Sequence, residues 1–227
     1  MGLDMYLDRR INLKSSIADA TSNKEVAKIM KNARVSARGE VCYWRKFNAL
    51  HKYITNKFLD DGEDDNCKDI IIGIDDIKEL LALLKGLRKK IKLGDGYVCM
   101  STQWLSKDDI GEHEVGDVIN ASELNPKLLD EHGDVARVIV RYKRDGELPY
   151  EVEFQRKGET IVNPEVCEEE FPTEAGFFFG STAYDKWYVD DIDDTIEKLE
   201  KVIDEHEELV KAGVEETAID YIYRAWY

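Results

Sequence analysis

Leu3, Met5, Leu7, Ile11 and Leu13 alternate with polar residues at the start of the chain. A period of two puts them on one face of a half-buried β-strand. Asp4, Asp8, Arg9 and Arg10 interrupt the apolar pattern, so the segment does not read as a signal peptide. Residues 24–33 read as a short helix and residues 40–43 as a strand. The strand runs into a helix over 44–59, which stops at Asp60-Asp61-Gly62. Residues 69–72 form a short apolar strand. Ile74, Ile77, Leu81, Leu84 and Ile91 then recur at helical spacing and predict a helix over 74–91. Arg88, Lys89, Lys90 and Lys92 complement the dipole at its C-terminal end, and Gly94 terminates it.

The pattern changes in the middle of the chain. Three β-type runs, 135–143, 150–155 and 159–163, are separated by Asp145-Gly146 and Lys157-Gly158. They read as a small antiparallel meander, and residues 122–131 add a short helix. The Phe177-Phe178-Phe179 run reads as a core strand. A long helix over 190–212 turns Ile192, Ile196, Leu199, Ile203 and Leu209 inward and ends at Gly213. A last strand rich in Tyr and Trp covers 218–227. The expected fold class is α+β: an antiparallel or mixed sheet packed with helices. Residues 1–94 and 173–227 form the expected core domain. Residues 95–172 form an inserted β-rich subdomain.

Composition narrows the function classes. The chain has 227 residues and a formal net charge of −16. Residues 151–210 hold 5 Lys+Arg against 19 Asp+Glu, a net of −14, whereas residues 44–92 hold 11 against 9. A chain so acidic is not expected to bind nucleic acid directly through its phosphates. It suits a solvated surface or a basic partner. No apolar run approaches the ~18 residues of a membrane span. Cys42, Cys67, Cys99 and Cys167 are widely spaced, without a CxxC pair, and read as reduced thiols of a cytoplasmic protein.

Two segments carry candidate chemistry. On the expected helix, Trp44, Asn48 and His51 lie at i, i+4 and i+7, with Arg45 and Lys52 beside them. Indole, amide, imidazole and guanidinium groups on one surface suit a small ligand, with Trp44 stacking and Arg45 holding an anion. The other reading is a packed Trp, a satisfied core His and solvated cations. The second segment is Gly180-Ser181-Thr182-Ala183-Tyr184-Asp185. Its small residues allow backbone amides to approach a ligand; the alternative is a turn whose Ser, Thr and Asp bond nearby backbone. It matches neither a P-loop nor a nucleophile elbow. Asp60, Asp61, Glu63, Asp64 and Asp65 lack EF-hand spacing and read as a solvated loop. Glu112, His113, Glu114 and His132 have no metal-ligand spacing, and His206 falls on an apolar stripe. No cofactor, metal or catalytic residue is assigned.

Three segments together are similar to a known group. They are Gly2-Leu3-Asp4-Met5-Tyr6-Leu7, then Tyr43-Trp44-Arg45-Lys46 with Asn48 and His51, and then Gly176-Phe177-Phe178-Phe179-Gly180-Ser181-Thr182 with Tyr184 and Asp185. The combination resembles small bacteriophage and prophage proteins of unknown function, over roughly residues 1–95 and 173–211. Shorter relatives pass almost directly from the middle helix to the GFFFGST-like segment, in keeping with an insertion at 95–172. The resemblance implies a phage or prophage origin and action in the host cytoplasm, but no mechanism. Relatives are sometimes labelled kinases, and this chain has no phosphate-binding loop to match.

The leading expectation is an accessory protein, not an enzyme, that binds a small ligand or host factor. Its site would join Trp44, Arg45, Asn48 and His51 to Ser181, Thr182, Tyr184 and Asp185, with Asp4 and Tyr6 approaching from the first strand. Two alternatives stand beside it. One is an acidic, nucleic-acid-mimicking decoy of a host protein, carried by residues 151–210. The other is an enzyme acting on a nucleotide-like substrate with His51 and Asp185 as acid and base. The oligomeric state is left open.

Overall fold

A computed structural model describes residues 2–16, 24, 28, 34–60, 63, 65–123, 134–143, 150–176 and 178–227. The fold is α+β, with two antiparallel sheets packed with helices. It divides into two compact units. The first comprises Met1–Lys90, Glu165–Thr182 and Val189–Tyr227, and the second Ile91–Pro164 and Ala183–Tyr188.

The first unit is built on strands β1 (Asp4–Ser16) and β2 (Arg34–Arg45), helix α1 (Asn48–Phe58), strand β3 (Ile70–Ile72) and helix α2 (Ile74–Lys90). Its sheet runs in the order β2-β1-β8-β3, with β8 at Ile219–Trp226 and every pair antiparallel. The period-two pattern of β1 works as the sequence implies: Leu3, Met5 and Leu7 are buried, and Asp4 and Tyr6 face the other way. β8 repeats the arrangement, burying Tyr221, Tyr223 and Ala225 and leaving Trp226 exposed. The buried faces meet the apolar stripes of three helices. Leu7, Trp44, Leu50, Ile77, Leu199 and Tyr223 line one small apolar cavity of about 20 Å³, room for about one water.

The second unit contains β4 (Leu93–Leu105), α3 (Lys107–Ile110), β5 (Val118–Asn120), β6 (Arg137–Lys143) and β7 (Tyr150–Ile161), its sheet ordered β4-β7-β6-β5. Leu105, Ile110, Ile119, Val138, Val140, Tyr150, Val152 and Phe154 make its core. On the opposite face of β7, Glu153 and Gln155 are buried and fully engaged. Arg141 and Gln155 donate to the Glu153 carboxylate at 2.6 Å each, and Arg137 donates to Gln155 at 2.7 Å. Helices α4 (Glu165–Glu170) and α5 (Lys186–Lys211) follow.

Several elements differ from their sequence reading. The helix expected at 44–59 begins only at Asn48, because Lys46 adopts φ +61° and reverses the chain after β2. Trp44 therefore lies on a strand and shares no helical face with Asn48 and His51. The two runs expected at 150–155 and 159–163 form one strand, β7 (Tyr150–Ile161). Gly158 is no turn: it pairs across the sheet with Gly96, and a Cβ at Gly96 would sit 2.2 Å from Thr160 Cγ2. β4, long and weakly patterned, was not foreseen. Phe178 and Phe179 occupy a turn, closed by Phe179 N–H on Gly176 O at 3.1 Å. α5 starts four residues early, because the Asp185 carboxylate accepts from the N–H groups of Trp187 and Tyr188. The expected helices at 24–33 and 122–131 lie mostly outside the described residues, as does His132.

Among the described residues, no helix is long and apolar enough to cross a membrane. No group of three His, Cys, Asp or Glu side chains among them is placed to hold a metal.

Candidate functional site

The two motif segments meet, and Asn48 is the joint. Its amide donates to the carbonyls of Phe179 (3.1 Å) and Ser181 (2.8 Å), and its oxygen accepts from Glu174 N–H (3.1 Å). Asn48 is 2 % exposed, so these bonds satisfy a buried amide. Further bonds close the same loop: Leu3 N–H to Phe178 O, Lys46 N–H to Leu3 O, and Thr173 Oγ1 to Thr182 O. Gly180 holds φ +89°, and a Cβ there would press on Lys46 Cβ at 3.1 Å.

His51 lies one turn further along α1 and is 1 % exposed. Its Nδ1 meets the Tyr223 hydroxyl at 2.9 Å. Its Nε2 lies 2.8 Å from an Asp65 carboxylate oxygen, off the ring N–H direction, and the two form an ion pair only when the imidazole is protonated. Phe179 meets the imidazole edge-on at 5.2 Å, and Tyr227 does so at 5.8 Å. The Tyr227 hydroxyl donates to Asp65. Burial, the largest influence, lowers the His51 pKa against the pull of Asp65. His206 of α5 repeats the motif against β8, with Nδ1 3.1 Å from the Tyr221 hydroxyl. β8 thus offers two tyrosines, each tied to a buried histidine from a different helix.

Trp44 and Arg45 are neighbours in sequence but face opposite sides of the sheet. Trp44 is 4 % exposed on the helix side, with the Lys198 ammonium 5.5 Å above its ring. The Arg45 side chain is 61 % exposed on the open side, its Nε 4.0 Å from Asp4. There the Tyr43 hydroxyl donates to Asp4 at 2.5 Å, and the Tyr43 and Tyr6 rings lie 5.2 Å apart. The Arg224 guanidinium stands 6.0 Å from the Tyr6 ring centre, and Trp226 is 63 % exposed.

Ser181 and Thr182 are exposed at the surface and join the loop through their carbonyls. Tyr184 and Asp185 belong to the second unit. There Tyr184 packs on Tyr188 at 5.1 Å, and Asp185 caps α5 with its pKa raised by burial. Asn48 and His51 of α1 therefore back one braced loop that contains Ser181 and Thr182, while Arg45 stands on a different surface with Asp4, Tyr6 and Tyr43. Sequence reasoning missed Asp65, Tyr223 and Tyr227 around His51, and Arg224 and Trp226 near Arg45. The alternation in Tyr221-Ile222-Tyr223-Arg224-Ala225-Trp226 was the available signal.

No family model, curated protein or solved structure matches the chain.

Proposed function

We propose that this chain is a phage- or prophage-encoded accessory protein that acts in the host cytoplasm by binding, and that its contact surface is the open sheet face around Arg45. One observation carries the reading. Arg45 is exposed beside Asp4, Tyr6 and Tyr43, and all four side chains stand on a sheet whose other face is packed with helices. Trp, Tyr and Arg side chains on a firm scaffold are the groups that carry binding energy. Trp44, Asn48 and His51 serve this reading from below, by fixing β2 and α1. Enzymatic use of His51 is disfavoured by its enclosure. Mimicry of nucleic acid is disfavoured by α5, where Asp193 pairs with Arg88 at 2.8 Å, Asp194 with Lys198 at 2.6 Å and Glu200 with Lys85 at 2.5 Å. The test is a calorimetric screen of small anionic metabolites against wild type and Arg45→Ala. Ligands that bind only the wild type support the reading. Ligands that bind both proteins equally, or no ligand at all, refute it.

A further inference from the structure

The open face of the first sheet has a definite layout. β1 and β8 are its central strands, and the registers of β1 with β2 and with β8 fix two transverse rows. One row is Arg45, Asp4 and Trp226, and the other is Tyr43, Tyr6 and Arg224. Neighbouring strands are about 4.8 Å apart and alternate residues along a strand about 6.8 Å apart, so the six side chains cover a patch of about 10 by 7 Å. That matches one planar ring with a charged substituent.

The charges within the patch do not cancel. Elsewhere on this face the arginines are neutralised: Arg10 meets Asp220 at 2.7 Å, and Arg38 meets Asp8 at 2.7 Å and Asp69 at 2.8 Å. Arg45 has only Asp4, at the 4.0 Å limit of an ion pair, and that carboxylate already accepts the Tyr43 hydroxyl. Among the described residues Arg224 makes no ion pair within 4 Å: it leans over the Tyr6 ring and acts only at longer range on Asp69, which Arg38 already holds. Two guanidinium groups against one carboxylate leave the patch positive on a chain of net charge −16. A local positive spot on an acidic protein selects a small anion and repels a long polyanion. Guanidinium groups favour phosphate, with which they form paired hydrogen bonds. The exposed indole of Trp226 and the Tyr6–Tyr43 pair offer π-faces on which any base can stack.

We propose that this patch binds a nucleotide, with its base on Trp226 and its phosphate between Arg45 and Arg224. The assignment rests on the binding-face reading above and names the ligand class of that face. The ligand is a free mononucleotide, because the acidic chain around the patch repels a long polyanion.

Wild-type protein is titrated by calorimetry with AMP, GMP, CMP, UMP, inorganic phosphate and a short oligothymidylate. Trp226→Ala, Arg224→Gln and Arg45→Gln are titrated in parallel. At least one mononucleotide binds about tenfold more tightly than phosphate, and each substitution weakens it by about tenfold. Melting temperatures stay unchanged, because these side chains are at the surface. Oligothymidylate binding no tighter than UMP supports a free nucleotide as the ligand; markedly tighter, variant-sensitive binding marks a strand and overturns the assignment. The proposal is likewise overturned if no mononucleotide binds, or if mononucleotide binding survives all three substitutions. If the metabolite screen instead yields Arg45-dependent ligands that lack a base or a phosphate, the binding face stands and the nucleotide assignment falls.

Discussion

Replacing Asn48 by Ala removes the joint between the two motif segments. Three hydrogen bonds are lost, two donated to the carbonyls of Phe179 and Ser181 and one accepted from Glu174 N–H. A typical intramolecular hydrogen bond contributes about 1 kcal/mol net, and a buried group left unpaired costs more. Ser181 is exposed, so water replaces part of what its carbonyl loses. The expected destabilisation is about 2–3 kcal/mol. At about 2–4 °C per kcal/mol, Tm falls by about 4–12 °C. The loss is local, so the Glu174 amide should exchange with solvent faster than amides in the β1–β8 ladder. Asn48→Asp is the sharper variant. It keeps an acceptor for Glu174 N–H but turns negative oxygens toward two carbonyls, and should destabilise at least as much. Urea titration followed by circular dichroism, with hydrogen exchange read by mass spectrometry, checks both. A change below about 0.5 kcal/mol, with Glu174 protection intact, refutes the bracing role of this amide.

Trp44→Ala should cost about 3–5 kcal/mol, as expected for a buried indole, while Arg45→Ala should stay within about 0.5 kcal/mol; equal losses in chemical denaturation would contradict the two-sided reading of β2. His51 is held below its usual pKa by burial, so the folded state binds fewer protons than the unfolded chain. Its contribution is complete above about pH 6.5 and is lost as pH falls below that value. Melting curves across this window should flatten in His51→Gln, and an unchanged pH slope would count against the assignment. Burial pushes the thiols of Cys42 and Cys99 up to about 12 and about 11, whereas Cys67 is exposed. Iodoacetamide on native protein should therefore label Cys67 first, as peptide mass mapping would show. Gly180→Ala must hold φ +89° against Lys46 and should lower stability by about 1 kcal/mol or more, measured as a shift in the urea midpoint.

The α+β class could be read from the sequence because apolar periods were clean where cores are one-sided. β1 alternates at Leu3, Met5 and Leu7, and α2 repeats every three to four residues, so both elements follow from side-chain spacing alone. β4 was opaque for the opposite reason. Leu93–Leu105 contains Gly94, Gly96, Ser101, Thr102 and Gln103, and only its pairing with β7 along one edge makes it a strand. The boundary at Asn48 was hidden because Trp44, Asn48 and His51 fit a helical period by coincidence. The left-handed turn at Lys46, a residue with no special tolerance for it, breaks that period. The run of phenylalanines looked like a strand through its bulk. The reach of Asn48 to the Phe179 carbonyl holds Phe178 and Phe179 in a turn, with Phe179 placed against His51. Asp65 sits in an acidic run that reads as solvated loop, and its link to His51 depends on folding alone.

The placement of β8 also governs when the first unit can assemble. Trp226 pairs with Asp4, and Tyr223 with both Leu7 and Ile70, so the strand that joins β1 to β3 is made after both. On the ribosome, the β1–β2 hairpin emerges with its inner ladder edge vacant and its Leu3, Met5 and Leu7 face wet. Closing loops of this span is slow, and unpaired edges invite aggregation. A nascent chain halted before Ile219 would hold the hairpin and the first two helices without the strand that organises them. Synthesis past residue 226 is thus the commitment step for this unit, and its yield in the cell depends on how well the waiting hairpin is shielded until then.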